Sequence, residues 1–241
     1  MSQQTSVPEH PVIGILGWED IHTTNIYGSI AAPGTFSFPI LFVPVTGACY
    51  ETVIAQPDRR ILNAMIAAAK GMEKSGVKAI TTSCGFNAVF QAELSGAVSV
   101  PVVTSTLILI PLIAGIIGSS KRIGIITVDK NHLTRGLLEK AGVPDQTSLC
   151  VYGIEETAAY THISQNVRPD LVDRDGFRND VVRIAELMMA ETPDLGAIVL
   201  ECTILHVFAD DIKRITGVPV FDIVSLITYM CNAVAHTSSP R

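Results

Sequence analysis

The chain repeats itself. A shift of 118 positions lays Ala79-Ile80 on Ala197-Ile198, Cys84 on Cys202, Val89-Phe90 on Val207-Phe208, and Val100-Pro101-Val102 on Val218-Pro219-Val220, with no gap across about 24 positions. A second echo upstream, at a slightly different offset, pairs Ile13-Gly14-Ile15 with Ile123-Gly124-Ile125. Each half therefore carries a short apolar strand, then a strand ending in Cys, a helix, and a further strand opening with Val-Pro-Val. A repeat of this length is one supersecondary plan used twice, and it organises the whole chain.

Periodicity and punctuation fill in the plan. Short, continuous apolar runs predict strands near 12–17, 40–45, 77–83, 100–104, 122–128, 148–153, 196–201 and 218–222. Such runs suit parallel strands covered on both faces. Helical spacing predicts helices near 57–75, 85–96, 106–118, 131–142, 172–191, 203–216 and 223–235, with Gly76 and Gly142 where a helix stops. Strand–helix alternation of this kind means an α/β protein with parallel sheets. The expected fold is two similar Rossmann-like lobes related by a pseudo-two-fold axis, with a cleft between them. Residues 1–105 plus 223–241 would form the first lobe and 106–222 the second, the last helix crossing back to the first.

Composition sets the outer limits. At 48% apolar and 17% charged residues, the 241-residue chain has enough apolar surface to offset chain entropy, so a disordered chain is excluded. Seventeen Lys and Arg against 23 Asp and Glu give a net charge of −6, with no basic run, which speaks against a nucleic-acid partner. The polar opening MSQQTSVPEH lacks the order of a signal peptide. The nearly uncharged stretch 100–118 is the length of a membrane span, but Pro101, Pro111 and the cluster Thr104-Ser105-Thr106 read as strand, turn and helix. Five scattered cysteines without a C-x-x-C pair point to a reduced, cytoplasmic setting rather than a disulfide framework. No His/Asp/Glu cluster has metal-ligand spacing, and Gly14 and Gly17 make no dinucleotide fingerprint, so neither a metal nor a nicotinamide cofactor is expected.

Ligands of open α/β sheets bind at the carboxyl ends of the strands. Cys84 and Cys202 sit there, each with a helix starting just after. Unpaired N–H groups at such a start lower a thiol pKa and hold carboxylates. A free Cys more often simply packs. That reading is kept for Cys49, Cys150 and Cys231, which have no repeat partner; for Cys84 and Cys202 the matched position and polar neighbours favour chemistry. If the halves face one another, so do the two sulfurs.

The segments Thr81-Thr82-Ser83-Cys84-Gly85-Phe86 and Glu201-Cys202-Thr203, with the strand Ile123-Gly124-Ile125-Ile126-Thr127, resemble the motifs of the aspartate/glutamate racemase superfamily, over about Pro11 to Cys231. The resemblance implies cofactor-independent proton transfer at a carbon next to a carboxylate, with Cys84 and Cys202 as opposed acid and base. It implies a racemase or epimerase of a small amino acid or related acid, and a homo-oligomer. Hydantoin racemases, maleate isomerases and arylmalonate decarboxylases share the scaffold, so decarboxylation and cis–trans isomerisation stay open. A non-catalytic binder of small acids is the alternative from another class. Expected substrate contacts are Thr82, Ser83, Gly85, Thr127, Thr203 and Trp18.

Two departures stand out. Gly85-Phe86 replace the Asn-Thr usual after the first cysteine, and Glu201 replaces the Gly usual before the second. A carboxylate beside a thiolate raises its pKa. Either Glu201 points away from the cleft, or Cys202 is the resting thiol and Cys84 alkylates first. Phe86 and Trp18 also make a more apolar pocket than glutamate needs. His206, one helical turn after Cys202, is either a neighbour of the thiol or an ordinary half-exposed helix residue. His22 invites the same question. The Pro-rich stretch 31–44 reads as a lid, a dimer contact or a surface loop.

Overall fold

The structure is a computed structural model that describes residues 12–19, 28–165 and 167–235. His22 lies outside the described residues.

Two four-stranded parallel sheets form from two consecutive stretches of chain. In the first, β1 (Ile13–Trp18), β2 (Ile40–Val45), β3 (Ala79–Thr82) and β4 (Val102–Val103) lie in the order β2-β1-β3-β4. In the second, β5 (Arg122–Thr127), β6 (Leu149–Gly153), β7 (Leu195–Leu200) and β8 (Val220–Phe221) lie in the order β6-β5-β7-β8. The two orders are one topology used twice, as the repeat requires. All eight expected strands are present, with β4 and β8 reduced to two residues.

The echo between Gly14 and Gly124 has a packing cause. Crossover helix α1 (Arg59–Lys74) covers β1, and α6 (Arg174–Glu191) covers β5. A Cβ on Gly14 would lie 2.6 Å from Met72 Sδ, and one on Gly124 would lie 2.2 Å from Met188 Sδ. Each central strand thus gives up a side chain so that a helical Met seats against its backbone, keeping helix and sheet at native packing density.

The remaining helices are α2 (Gln91–Ser95), α3 (Ile110–Ile117), α4 (Arg135–Lys140), α5 (Ala158–Ser164), α7 (Ala209–Thr216) and α8 (Ile223–Val234). Asp58 and Asp222 cap α1 and α8, their carboxylates accepting from the Arg60 and Ser225 amides at 2.8 and 2.9 Å. Ile223, Leu226, Ile227 and Cys231 of α8 pack with Ile13, Ile15, Ala79 and Val103 of the first sheet. The chain therefore returns to the first sheet after completing the second. Phe36 and Phe38, their rings 5.0 Å apart, pack against the same cluster. The Pro-rich stretch is thus a cover for the first sheet.

Residues 100–118 break into β4, a single turn of 3-10 helix at Thr106–Leu109, and α3. Among the described residues no helix is long and apolar enough to cross a membrane. Three elements were not anticipated from the sequence: the π-type turn Glu51–Ala55, α5 and the 3-10 turn Pro169–Leu171.

Candidate active site

The shared topology brings the carboxyl ends of β3 and β7 together, and with them the two cysteines. Cys84 and Cys202 line one pocket with Trp18, Ile54, Ser83, Phe86, Val128, Ile163, Glu201, Thr203 and Ile204. Cys84 is buried, at 7% exposure, whereas Cys202 is only partly buried.

Each thiol rests on the backbone that follows it. The N–H groups of Phe86 and Asn87 face Cys84, and those of Ile204 and Leu205 face Cys202, the same two positions under the repeat. These amides favour the thiolate, but burial outweighs them. Burial pushes the Cys84 thiol well above its ordinary value, and the Glu201 carboxyl and Cys202 beside it push the same way. Burial and Glu201 push Cys202 up to about 12. At neutral pH both cysteines are held as thiols.

Glu201 does not point away. It lines the pocket, is 1% exposed, and its Oε2 accepts a 2.8 Å hydrogen bond from Thr127 Oγ1. Burial drives its carboxyl up to about 8 against the opposing pull of the Thr127 hydroxyl and the Val128 amide. Glu201 therefore acts on both cysteines. The expectation that Cys84 alkylates first is reversed, because Cys84 is the deeper thiol and faces both Glu201 and Cys202. At pH 8 a small alkylating reagent should modify Cys202 before Cys84, both more slowly than a free thiol; peptide mapping of partially alkylated protein reads the order. The exposed Cys49, whose thiol lies 3.5 Å from Thr52 Oγ1, should react ahead of both. It was expected to pack, and the loop after β2 instead leaves it at the surface.

The expected substrate contacts divide into two groups. Trp18, Ser83 and Thr203 line the pocket; Thr82, Gly85 and Thr127 are not among its lining residues. Three hydroxyls are engaged within the protein. Thr82 Oγ1 donates to the carbonyls of Cys84 and Thr104, at 2.9 and 2.7 Å. Thr203 Oγ1 reaches across the lobes to the Ser83 carbonyl at 2.6 Å. Thr127 Oγ1 serves Glu201. Thr106 Oγ1, where the chain leaves β4 for the second lobe, donates to the Leu200 carbonyl at 2.7 Å.

Other bonds close the cleft further out. Tyr50 Oη lies 2.7 Å from Tyr160 Oη and donates to Asp129 Oδ2 at 3.2 Å; Asp129 also lies 2.8 Å from His132 Nδ1. His206 does not line the pocket. It is half-buried, its ring pushed toward the neutral form by burial, with Asp222 and the Gly28 backbone as its neighbours.

The contributions of Ile54 and Ile163 were not legible in the sequence. They come from the π-type turn and from α5, neither of which shows a clean apolar period.

No family model matches the chain. Solved structures do. The structure superposes on unliganded arylmalonate decarboxylase with a TM-score of 0.60, covering 95% of this chain and 94% of that one at 14% identity. It superposes on Picrophilus torridus aspartate racemase with a TM-score of 0.63, covering 93% and 94% at 14% identity. The chain has the aspartate/glutamate racemase fold. Allantoin racemase from Pseudomonas fluorescens shares this fold, with a TM-score of 0.59 over 95% of this chain and 97% of that one at 19% identity.

Sequence relatives carry a different activity in their names. Dimethylsulfoniopropionate lyase of Durusdinium sp. clade D is 29% identical over 222 residues, 89% of this chain and 72% of that protein. Dimethylsulfoniopropionate lyase 6 of Emiliania huxleyi is 29% identical over 238 residues, 95% of this chain but 60% of that protein. The chain thus spans well under two thirds of the length of that second relative. The solved structures with this fold thus carry racemase and decarboxylase names, and the sequence relatives carry a lyase name.

Proposed function

We propose that this protein is a cofactor-independent carbon-acid enzyme in which a cysteine removes the proton next to the carboxylate of a small acid, and that elimination of a β-substituent follows. The observation that carries the reading is the single pocket lined by Cys84 and Cys202 at equivalent strand ends. The choice of elimination rests on the lyase names of the relatives that align along almost all of this chain.

Cys202 is the base in this reading, since it is the more accessible thiol. Its thiolate takes the α-proton. The C–H electron pair becomes the second bond between Cα and Cβ, and the bond from Cβ to the leaving group breaks with its pair. With dimethylsulfoniopropionate the pair goes to the sulfonium, which leaves as neutral dimethyl sulfide, and the other product is acrylate. The positive sulfonium also offsets the burial that holds the thiols protonated, because a nearby opposite charge favours the thiolate. Trp18, Phe86, Ile54 and Ile163 would enclose the apolar methyl groups.

A second reading is racemisation, favoured by the presence of a matched second thiol. A planar intermediate without a leaving group would accept a proton on its other face from Cys84. The two readings share the first step and part at the second. Incubation with dimethylsulfoniopropionate should release acrylate and dimethyl sulfide in equal amounts. Failure to consume it, together with racemisation of a chiral small carboxylate, would overturn elimination and establish the second reading.

A further inference from the structure

Ser83 and Glu201 hold the same place in the repeat, one residue before each cysteine. Each meets an amide at the carboxyl end of the first strand of its own lobe. The Trp18 N–H donates to Ser83 Oγ at 3.3 Å, and the Val128 N–H faces the Glu201 carboxyl. Ser83 is satisfied by this arrangement. Glu201 is not, because a carboxyl has a second oxygen. Thr127 serves Oε2, while Oε1 is buried without a partner. It lies against Gly85 of the other lobe, where a Cβ would approach it to 2.3 Å. A buried polar atom without a partner is rare in native proteins and calls for an explanation. This one belongs to a side chain that lines the pocket of the two cysteines.

We propose that Glu201 works in its protonated form, its Oε1–H donating a hydrogen bond to the carboxylate of the substrate, where negative charge accumulates as the α-proton leaves. The inference rests on the reading that the substrate is a carboxylate. A cysteine thiolate takes the α-proton, and the C–H pair delocalises onto the carboxylate as an enediolate. The Glu201 proton stays on Oε1, and its hydrogen bond strengthens as the facing oxygen gains charge. When the pair moves back to expel the leaving group, that charge falls again. A donor already in place in a water-poor site stabilises such charge without reorganising.

The surroundings hold the acid neutral. Among the described residues, the titratable groups that face Glu201 are Cys84 from the end of β3 and Cys202 beside it; β5 presents the Thr127 hydroxyl and the Val128 amide. No cation is among them. Burial places the carboxyl at about 8, and a bound carboxylate beside it would hold the proton more tightly still. In alkali the acid ionises, the donor is lost, and a negative charge appears beside both thiols.

The test combines infrared spectroscopy with kinetics. At pH 7 the wild-type protein should show the carbonyl stretch of a buried carboxylic acid. That band should be missing in Glu201→Gln, fade through about pH 8, and shift when propionate binds, with binding followed independently by calorimetry. Relative to Glu201→Gln, turnover of the wild type should fall about tenfold per pH unit beyond the ionisation, because the rise of the thiolate with pH is common to both proteins. Glu201→Gln keeps an N–H donor and has no acid to lose, so it should stay within about tenfold of wild type at pH 7 and show no such fall, whereas Glu201→Leu should lose on the order of 10²-fold. A missing band at pH 7, a band unmoved by bound propionate, or an alkaline fall that survives in Glu201→Gln overturns the proposal. If no small carboxylate binds at all, the reading of the substrate fails, and the role of Glu201 falls with it.

Discussion

Cys202→Ser is expected to lower α-proton removal by on the order of 10³-fold, within the range a general base contributes. Serine keeps the size and the contacts with the Ile204 and Leu205 amides, so the protein should fold normally. What changes is basicity. An alkoxide forms far less readily than a thiolate, and burial has already carried the thiol up to about 12. Cys84→Ser separates the two outcomes of the shared first step. Elimination needs one base, so Cys84→Ser should retain acrylate release to within about tenfold of wild type. Racemisation needs a proton donor on each face, so the same variant should lose it by a factor comparable to that for Cys202→Ser. Equal, severe loss of elimination in both variants would show that Cys84 is also required for the lyase step. Acrylate release and optical rotation, measured on the same preparations, read the difference.

Gly85→Ala is expected to cost more than its single methyl group suggests. The new Cβ would lie 2.3 Å from both the carbonyl oxygen and Oε1 of Glu201. One of these atoms is backbone at the end of β7 and cannot swing aside. Overpacking of this kind costs roughly 1–3 kcal/mol, and relief requires the lobes to part where the cysteines meet. Activity should fall with stability, by about 10²-fold, because displacing Glu201 also displaces its neighbour Cys202. The contact runs between the residue after one cysteine and the residue before the other, so the two positions should be coupled. Shortening the opposing side chain in Gly85→Ala/Glu201→Gly removes the clash with Oε1 but not that with the carbonyl. The double variant should therefore recover part of the lost stability, with a coupling energy of roughly 0.5–3 kcal/mol. Additive effects, measured by denaturant unfolding, would mean that Gly85 and Glu201 do not press on one another.

The same contact explains what the sequence could and could not reveal. The repeat alone was enough to place two parallel sheets of like topology, because one supersecondary plan read twice leaves few ways to connect the strands. It also singled out Cys84 and Cys202, which the fold brings to one pocket. Gly85 and Glu201 were visible as departures from the racemase motifs, yet not as a pair. They are far apart in the chain, and only the facing of the lobes shows that the side chain missing at one position makes room for the one added at the other. The thiols carry a similar lesson. A helix start was expected to lower their pKa, and the amides are indeed in place. The competing desolvation depends on how tightly Phe86, Ile54 and Ile163 close the pocket. Ile54 and Ile163 come from a π-type turn and a seven-residue helix, elements too short to show a periodic pattern. Thr82 and Thr203 were read as substrate contacts because hydroxyls beside a catalytic residue suit a carboxylate. In the folded chain their hydroxyls donate to backbone carbonyls at the junction of the lobes.

The account stands on the removal of a proton next to a carboxylate by a pocket thiol, before any question of what leaves afterwards. Incubation in heavy water with small carboxylates that lack a leaving group isolates that step, and proton magnetic resonance reads the loss of signal at the α-carbon. The wild-type protein is predicted to exchange the α-proton of at least one such acid, and the variant carrying both Cys84→Ser and Cys202→Ser to exchange none. Exchange that persists in the double variant, or acrylate release from dimethylsulfoniopropionate that is unaffected by either substitution, would contradict it.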